Sequence, residues 1–179
     1  RDKRGIIEPY GGELKNLQVK DQSKKESLKT LASHKHLCSE RNACDIELLM
    51  VGGFSPLEGF MNEKDYYSVV EKNRDSKGYL FGLPIVLDTN NSNIKIGDKI
   101  LLIYKDQELA LLDVESKWEP DKSAEAKSCY GTDSLDHPAV KMIFHERGRF
   151  YLGGKLFGFD LPEREFPCQT PEEVRKNLP

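Results

Sequence analysis

Apolar and polar residues follow a helical period in the N-terminal half of the chain. From Ser39, which is suited to cap a helix, apolar residues recur every three or four positions until Gly52 and Gly53 follow, so we predict a helix between them. Asn62 opens a second candidate with acidic residues in its first turn, where the helix dipole favours them. Its apolar stripe ends near Asn73. The sequence thus predicts two capped, amphipathic helices.

Farther along, the period shortens and the composition turns toward Ile, Leu and Val, as is typical of strands. Three such runs are predicted to be strands: 83–87, 99–104 and 108–114. The short connection at 105–107 predicts an antiparallel hairpin between the last two. The remaining predicted elements are two short helices and a second hairpin across a Gly-Gly pair: 123–129, 137–145, and 150–152 paired with 155–159. The mixture indicates an α+β domain with an antiparallel sheet or barrel.

The polar stretches at the two ends are expected to lie outside the main domain. Residues 1–35 carry one short helical candidate, at 27–32, and are predicted to form an arm packed on the core. Residues 36–168 are predicted to form the domain itself. Thr170 with the following proline is typical of a capped helix start, so residues 169–179 are expected to begin a linker helix.

Composition indicates a folded, soluble chain. With 179 residues, of which 37% are apolar and 32% charged, the chain can bury roughly 70% of its unfolded surface. No apolar run approaches the roughly 18 residues of a membrane-spanning helix, and the sequence shows no leader-like pattern. We therefore expect a cytoplasmic protein with no membrane partner.

The spacing of the cysteines and the net charge argue against several kinds of site and partner. Cys38, Cys44, Cys129 and Cys168 are spaced like neither a zinc site nor a dense disulfide framework, so reduced thiols are expected. The net charge of −3 argues against nucleic acid wrapped over the whole surface. Residues 1–41 hold ten Lys and Arg against six Asp and Glu, which is either a solvated face or a local basic surface.

Several clusters are candidates for a site, each with a simpler structural interpretation. Residues 52–61, GGFSPLEGFM, follow a helix rather than a strand and lack a phosphate-loop lysine, so a turn that inserts aromatic residues into the core is favoured over a nucleotide site. His34 and His36 have no partner spaced to complete a metal site. Residues 119–122 are expected to brace a loop, with Asp121 as a helix cap.

Two further clusters carry more reactive side chains. His137 and His145 lie close in sequence to Arg147 and Arg149, a group that could hold an anion, although surface residues around a turn are the simpler interpretation. Cys129 follows a predicted helix but has no identifiable base, which makes it a weak nucleophile candidate. The residues alone therefore predict an α+β domain without a convincing active site.

Eight motifs, distributed over nearly the whole chain, form a recognisable series: Pro9-Tyr10-Gly11-Gly12, Cys44-Asp45-Ile46-Glu47-Leu48, GGFSPLEGFM, Asp65-Tyr66, Leu83-Pro84-Ile85, Trp118 to Lys122, His137-Pro138-Ala139 and Tyr151-Leu152-Gly153-Gly154. In order and spacing this series resembles the N-terminal part of the ATP sulfurylase (sulfate adenylyltransferase) family. Within that family, residues 80–87 and 147–167 look most similar to cyanobacterial members.

The resemblance implies a fold and an activity. The fold is a PUA-like domain, a mixed β-barrel with short flanking helices, which precedes the nucleotidyltransferase domain in this family. The family joins sulfate to the α-phosphorus of MgATP and releases pyrophosphate in sulfate assimilation. Catalysis there rests on positioning and charge stabilisation, without a covalent enzyme intermediate.

The resemblance also implies that this chain is not itself catalytic. The family's catalytic residues lie in a Gln-x-Arg-Asn-Pro segment, a His-x-x-His pair just after it and a Gly-Arg-Asp-His segment, and the sequence contains none of these. Gln169-Thr170 is followed by Pro171, and Arg41-Asn42 by Ala43, so neither pair can substitute. We therefore expect no catalytic, cofactor-binding or metal-binding residues here; MgATP is implied for the full-length enzyme. Residues 169–179 are expected to lead toward a catalytic domain that this sequence does not contain.

Two alternatives concern the partners of the domain. PUA-like modules elsewhere bind RNA, so the chain could bind RNA through the basic arm with Arg147, Arg149 and Lys155, although basic and aromatic residues do not interleave as stacking sites require. Nucleic acid is the less expected partner. The arm or residues 157–166 could instead contact the catalytic domain of the same polypeptide or a neighbouring subunit of a homo-oligomer.

Overall fold

The computed structural model describes residues 16–162, in five helices and six strands. The helices are α1 (Gln22–Lys29), α2 (Glu40–Met50), α3 (Glu63–Lys72), α4 (Lys122–Tyr130) and α5 (Pro138–His145). The strands are β1 (His34–Leu37), β2 (Gly59–Phe60), β3 (Leu87–Thr89), β4 (Lys99–Tyr104), β5 (Gln107–Trp118) and β6 (Phe150–Gly158). The predicted α+β class is confirmed. The helix start predicted at Thr170 lies outside the described residues.

The described residues form two units. Unit 1 consists of residues 16–60, 97–114 and 154–162, and unit 2 of residues 61–96 and 115–153. β5 and β6 each contribute residues to both units. The domain boundaries expected after residues 35 and 168 stay predictions.

The sheet of unit 1 is mixed and open. Its strands hydrogen-bond in the order β1, β4, β5, β6, β2. β1 is parallel to β4, with His34 opposite Ile100, and β4 is antiparallel to β5. The end strands of this order, with four and two residues, are too short to provide the continuous ladder that closure requires. Among the described residues the sheet therefore does not form the expected barrel.

The helix in the polar N-terminal stretch begins earlier than predicted. Asp21 Oδ1 accepts hydrogen bonds from the amides of Ser23 and Lys24, at 2.9 and 3.3 Å, and this cap starts α1 at residue 22 rather than 27. Leu28 of α1 packs against a buried cluster of unit 1: Leu101, Leu111 and Phe159. The helix therefore contributes to the core of unit 1.

Capping explains where the next two helices begin. Ser39 Oγ accepts from the amide of Asn42, and Asn42 Oδ1 accepts from the amide of Ser39, each at 3.1 Å, so α2 opens with a reciprocal capping box. Asn62 Oδ1 accepts from the amide of Asp65 at 2.8 Å, and α3 ends at Asn73 in the left-handed conformation. Both predicted helices are confirmed.

The predicted β4–β5 hairpin is confirmed, and the backbone of its two turn residues explains how the strands connect. Lys105 and Asp106 have φ angles of 46° and 65°, the backbone that a two-residue connection between twisted antiparallel strands requires. β5 then extends to Trp118, beyond the predicted end at residue 114.

Two other strand predictions are wrong. Instead of a hairpin across Gly153 and Gly154, β6 runs without interruption through both glycines. In unit 2, a Cβ on Gly153 would lie 1.9 Å from the carbonyl oxygen of Met61, so this glycine permits a close backbone approach and not a turn. The strand predicted at 83–87 is found as β3 at 87–89, antiparallel to the start of β6.

The structure bears on two expectations from composition, that the cysteines are reduced and that no helix spans a membrane. Cys38 and Cys129 are free thiols, but Cys44 is disulfide-bonded, so the expectation of reduced cysteines is wrong at that position. Within residues 16–162, every helix is too short or too polar to cross a membrane.

Candidate functional site

The GGFSPLEGFM segment has the structural role that its sequence favours. Gly52 follows α2 with a φ of 84°, and Phe54 and Phe60 are buried. The peptide bond between Ser55 and Pro56 is cis, and Ser55 Oγ donates to the carbonyl of Gly52 at 2.7 Å. These contacts lie within unit 1 and form a packed turn, so the segment contributes to the core; that it binds no nucleotide stays a prediction.

The histidines of β1 make separate polar contacts. His34 Nε2 lies 3.1 Å from Asp98 Oδ2, and His36 Nε2 lies 3.5 Å from Asn42 Oδ1 at the start of α2. Across the described residues, no group of three His, Cys, Asp or Glu side chains is placed to hold a metal ion. The two side chains thus link β1 to side chains just before β4 and at the start of α2, within unit 1.

A buried ion pair in unit 2 is the most unusual polar feature of the described structure. Arg147 Nη1 donates to Glu125 Oε2 at 2.5 Å, and the side chains are only 7% and 1% exposed. The hydroxyl of Tyr66 donates to the other oxygen of Glu125 at 2.7 Å, and Arg147 Nη1 also donates to the hydroxyl of Tyr151 at 2.9 Å. The network joins α3, α4 and β6.

Burial and charge fix the protonation states in this network. Burial, followed by the Glu125 carboxylate, raises the pKa of Tyr66 far above its usual value of 10.0, so its hydroxyl stays a donor. Burial alone would lower the pKa of Arg147, but Glu125, Tyr151 and Tyr130 together outweigh it, and the net pKa is raised. The Glu125 carboxylate accepts hydrogen bonds from the side chains of both Tyr66 and Arg147, which suits it to holding α3 and α4 to the segment before β6.

An aromatic cluster surrounds the ion pair. The ring centroid of Tyr66 lies 5.3 Å from that of Trp118 and 5.4 Å from that of Tyr151, and the two tyrosine rings are nearly perpendicular. Two buried N–H groups beside this network have no hydrogen-bond acceptor within the described residues: Trp118 Nε1 and Arg147 Nε. An unpaired buried donor costs about 1–3 kcal/mol, so these two atoms call for an explanation.

Arg147 also forms part of the wall of a surface cleft in unit 2. This cleft, with a volume of about 460 Å³, is named here the Lys122 cleft, and its lining residues are Asn90, Glu119, Pro120, Asp121, Lys122, Ser123, Phe144, Arg147 and Arg149. Lys122 Nζ donates to the carbonyl of Arg147 at 3.2 Å, and Arg149 holds Glu119 by two hydrogen bonds. The first turn of α4 thus faces the residues just before β6.

The structure separates the residues of the suggested His–Arg anion group. His137 caps α5, its Nδ1 accepting from the amide of Ala139 at 3.2 Å, and its ring centroid lies 5.3 Å from that of Tyr130. His145 is exposed in the last turn of α5, and neither histidine lines the Lys122 cleft. Instead, Lys122 lines the cleft together with Arg147 and Arg149.

One other sequence candidate is less accessible than its chemistry would require, and another has the structural role predicted for it. Cys129 is 7% exposed, and Asp121 Oδ1 caps α4 through the amide of Ala124 at 3.0 Å, as predicted. Of the basic residues considered for RNA, Arg147 is turned inward, Arg149 is paired with Glu119, and Lys155 lies over the ring of Phe157. RNA binding stays the less expected alternative, and Arg147 would not be at the surface for it.

Sequence reasoning missed the ion pair, although one signal was present. Glu125, Ala126 and Cys129 share one face of α4 and are all buried, so Glu125 interrupts an otherwise apolar stripe. A carboxylate at such a position requires a buried cation or donor as its partner. That partner, Arg147, lies 22 residues away and could not be identified from spacing.

The comparison with known families agrees with this architecture. The family model of the PUA-like domain matches residues 7–160. The chain belongs to the PUA-like domain family. Among solved structures, it is similar to a hexameric APS kinase from Thiobacillus denitrificans, with a TM-score of 0.66 and 26% identity, over 96% of this chain and 31% of that one.

Relatives in fungi carry the name sulfate adenylyltransferase. The one from Gibberella zeae is 42% identical over 95% of this chain and 32% of its own length. The one from Schizosaccharomyces pombe is 41% identical over 92% of this chain and 36% of its own length. The chain thus spans about a third of these relatives. The expected similarity to cyanobacterial members stays a prediction.

Proposed function

We propose that this chain is the N-terminal, non-catalytic domain of a sulfate adenylyltransferase, the enzyme that forms adenosine 5'-phosphosulfate and pyrophosphate from ATP and sulfate. One observation carries the proposal: 42% identity that extends over 95% of the chain but only 32% of a relative with that name. A continuous match of this kind is what one domain of a longer enzyme would give.

The buried network of unit 2 supports a scaffold role. Glu125 is engaged by Arg147 and Tyr66 and is 1% exposed, so it is not available to a substrate. The partner of such a domain is the catalytic part of the same polypeptide, which would bind MgATP. We further propose a cytoplasmic enzyme, and a homo-oligomer as its assembled form.

A turnover assay tests the non-catalytic part of the proposal. The chain is incubated with MgATP, sulfate and inorganic pyrophosphatase, and phosphate release is compared with that of the full-length Schizosaccharomyces pombe enzyme at equal molarity. We expect release at the rate of a protein-free blank. Release that depends on both sulfate and this chain would contradict the proposal.

A chimera tests the family assignment directly. This chain replaces the matching third of the Schizosaccharomyces pombe enzyme, and a second chimera receives an unrelated domain of similar length as the control. We expect turnover from the first chimera and not from the second, because a 41% identical domain should present the same contacts to the catalytic part. A folded first chimera without turnover would count against the assignment.

A further inference from the structure

One face of the sheet in unit 1 is only partly covered. Leu28 of α1, and Ala32 just after that helix, pack against the buried cluster of Leu101, Leu111 and Phe159. α1 has eight residues and is therefore about 12 Å long. The cluster that it covers belongs to β4, β5 and the residue after β6, and β1 lies beyond them at the edge of the sheet.

Leu37, in the edge strand β1, continues this apolar face beyond α1. Its side chain is 80% exposed, more than any other large apolar side chain within residues 16–162. Leu37 is paired in register with Ile103, and paired residues of neighbouring strands point to the same side of a sheet. Ile103 packs against the same buried cluster, so Leu37 lies on the face that α1 covers elsewhere. An exposed side chain that is continuous with a core cluster, unlike a solitary one, calls for an explanation.

The described residues end at the same end of the sheet. Gln107 Nε2 donates to the carbonyl of Leu161 at 2.8 Å, and the side chain of Leu161 is itself 40% exposed. Gln107 is opposite Tyr104, the residue after Ile103. Because neighbouring strands lie about 4.8 Å apart, two strand spacings, roughly 10 Å, separate β5 from β1 here. Leu37, Ile103 and Leu161 are named here the Leu37 patch, and the backbone passes this patch where the described residues end.

The position of the patch favours a partner that is joined to this end of the chain. Under the proposed function, about two thirds of the enzyme lies outside this sequence, since the match covers only 32% of the relative from Gibberella zeae. A domain tethered by a short linker has an effective local concentration in the millimolar range. A catalytic part that follows Leu161 would therefore contact the Leu37 patch more readily than a separate molecule could.

A second copy of this chain fits the patch less well. Lys35 lies two residues before Leu37 on the same face and is exposed. In a two-fold dimer both subunits use the same surface, so two Lys35 ammonium groups would be brought to one interface. Lysine on an edge strand also discourages the addition of a further strand. The charge instead favours a partner with a carboxylate opposite Lys35.

We propose that the catalytic part of the same polypeptide docks on the Leu37 patch. Its docking surface is apolar opposite Leu37 and carries a carboxylate opposite Lys35. This inference rests on the proposed function, because it requires a catalytic part that follows this chain. It adds the surface through which the two parts meet.

The test uses the chimera in which this chain replaces the matching third of the Schizosaccharomyces pombe enzyme. The photoreactive residue p-benzoylphenylalanine is introduced at position 37 or, as the matched control, at position 51. Val51 is 42% exposed and follows α2, which lies on the other side of the sheet. The side chain of His36 points away from that of Leu37, and its Nε2 lies 3.5 Å from Asn42 Oδ1 of α2. After irradiation, cross-linked peptides are identified by mass spectrometry.

We expect cross-links within one polypeptide from position 37 to peptides of the catalytic part, and only background from position 51. Cross-links from position 37 to a second copy, which double the mass, would overturn the proposal, as would equal yields from the two positions or none from position 37. Turnover of the unlabelled chimera separates the two proposals. A folded but inactive chimera contradicts the proposed function and this inference with it, whereas an active chimera without the cross-link contradicts this inference alone.

A pair of substitutions gives a second measurement. Lysine is tolerated on edge strands and near helix C-termini, so Leu37→Lys and Val51→Lys should leave the thermal midpoint of the 179-residue chain close to that of the unmodified chain. In the chimera, Leu37→Lys places a charge in the proposed contact and should accelerate the loss of turnover at a fixed elevated temperature roughly tenfold, whereas Val51→Lys should not. Equal rates for the two variants would contradict the proposal.

Discussion

Removing the charge of Glu125 should destabilise the protein far more than the size of the change suggests. Glu125→Gln keeps the shape and an oxygen for the Tyr66 hydroxyl, but it leaves the Arg147 guanidinium, which is 7% exposed, without its counter-ion. Breaking one side of a buried pair costs about 3–5 kcal/mol of unfolding free energy. With a urea m-value of about 2–3 kcal/mol/M, the midpoint should fall by about 1–2.5 M.

The assay is urea unfolding followed by tryptophan fluorescence. Trp118 is the only tryptophan of the sequence, is 6% exposed and lies 5.3 Å from the Tyr66 ring, so it reports on the region around the ion pair. The matched control is Glu119→Gln, which breaks the exposed pair with Arg149 and should change the midpoint very little.

A double variant separates the loss of the pair from the exposure of an unpaired charge. Adding Arg147→Met to Glu125→Gln removes both charges while keeping an oxygen for the Tyr66 hydroxyl, and should recover most of the lost stability. The reasoning is refuted if Glu125→Gln and Glu119→Gln unfold at the same urea concentration. It is also refuted if the double variant is less stable than Glu125→Gln.

Three more predictions concern other parts of the chain. The raised pKa keeps Tyr66 protonated in the folded protein, whereas the same tyrosine ionises near pH 10 in the unfolded chain, so the free energy of unfolding should fall above that pH by about 1.4 kcal/mol per pH unit. Urea unfolding at alkaline pH should show a shallower fall for Tyr66→Phe. An equal fall in the two proteins would contradict this. Gly59→Ala would place a Cβ 1.8 Å from the Gly154 carbonyl oxygen and should cost about 1–3 kcal/mol or more in thermal unfolding. The control, Gly53→Ala, should cost less, because its Cβ would meet the Leu48 side chain at 3.0 Å and the Leu48 carbonyl oxygen at 3.3 Å; similar losses would be the opposing result. Single-stranded RNA should show weak or no binding, and a log–log salt slope of several times −0.7 would instead establish phosphate contacts.

The helices were predictable because their signals are local. Ser39 and Asn62 cap from within the first turn, and Asn73 adopts the left-handed conformation that ends α3. The turn at Lys105 and Asp106 was likewise set by a short connection between two apolar runs. In each case the partners are only a few residues apart.

What the sequence did not reveal depends on contacts between distant residues. Gly153 looks like a turn residue until the carbonyl of Met61 is found against it, 92 positions earlier in the chain. The ion pair between Glu125 and Arg147 likewise has no spacing rule, so Arg147 was grouped with the histidines next to it in sequence. Local pattern therefore predicted the elements, and tertiary packing decided the candidate site.

The path of the backbone restricts how this molecule can be dissected by gene truncation. Within residues 16–162, unit 1 takes its residues from three separate stretches and unit 2 from two, with β5 and β6 continuing from one set to the other. A cut near residue 96 or 114 would consequently divide both units between two fragments, and a cut near residue 60 or 153 would divide unit 1. Chimeric proteins should therefore exchange residues 16–162 as a whole, with the crossover points placed outside this range.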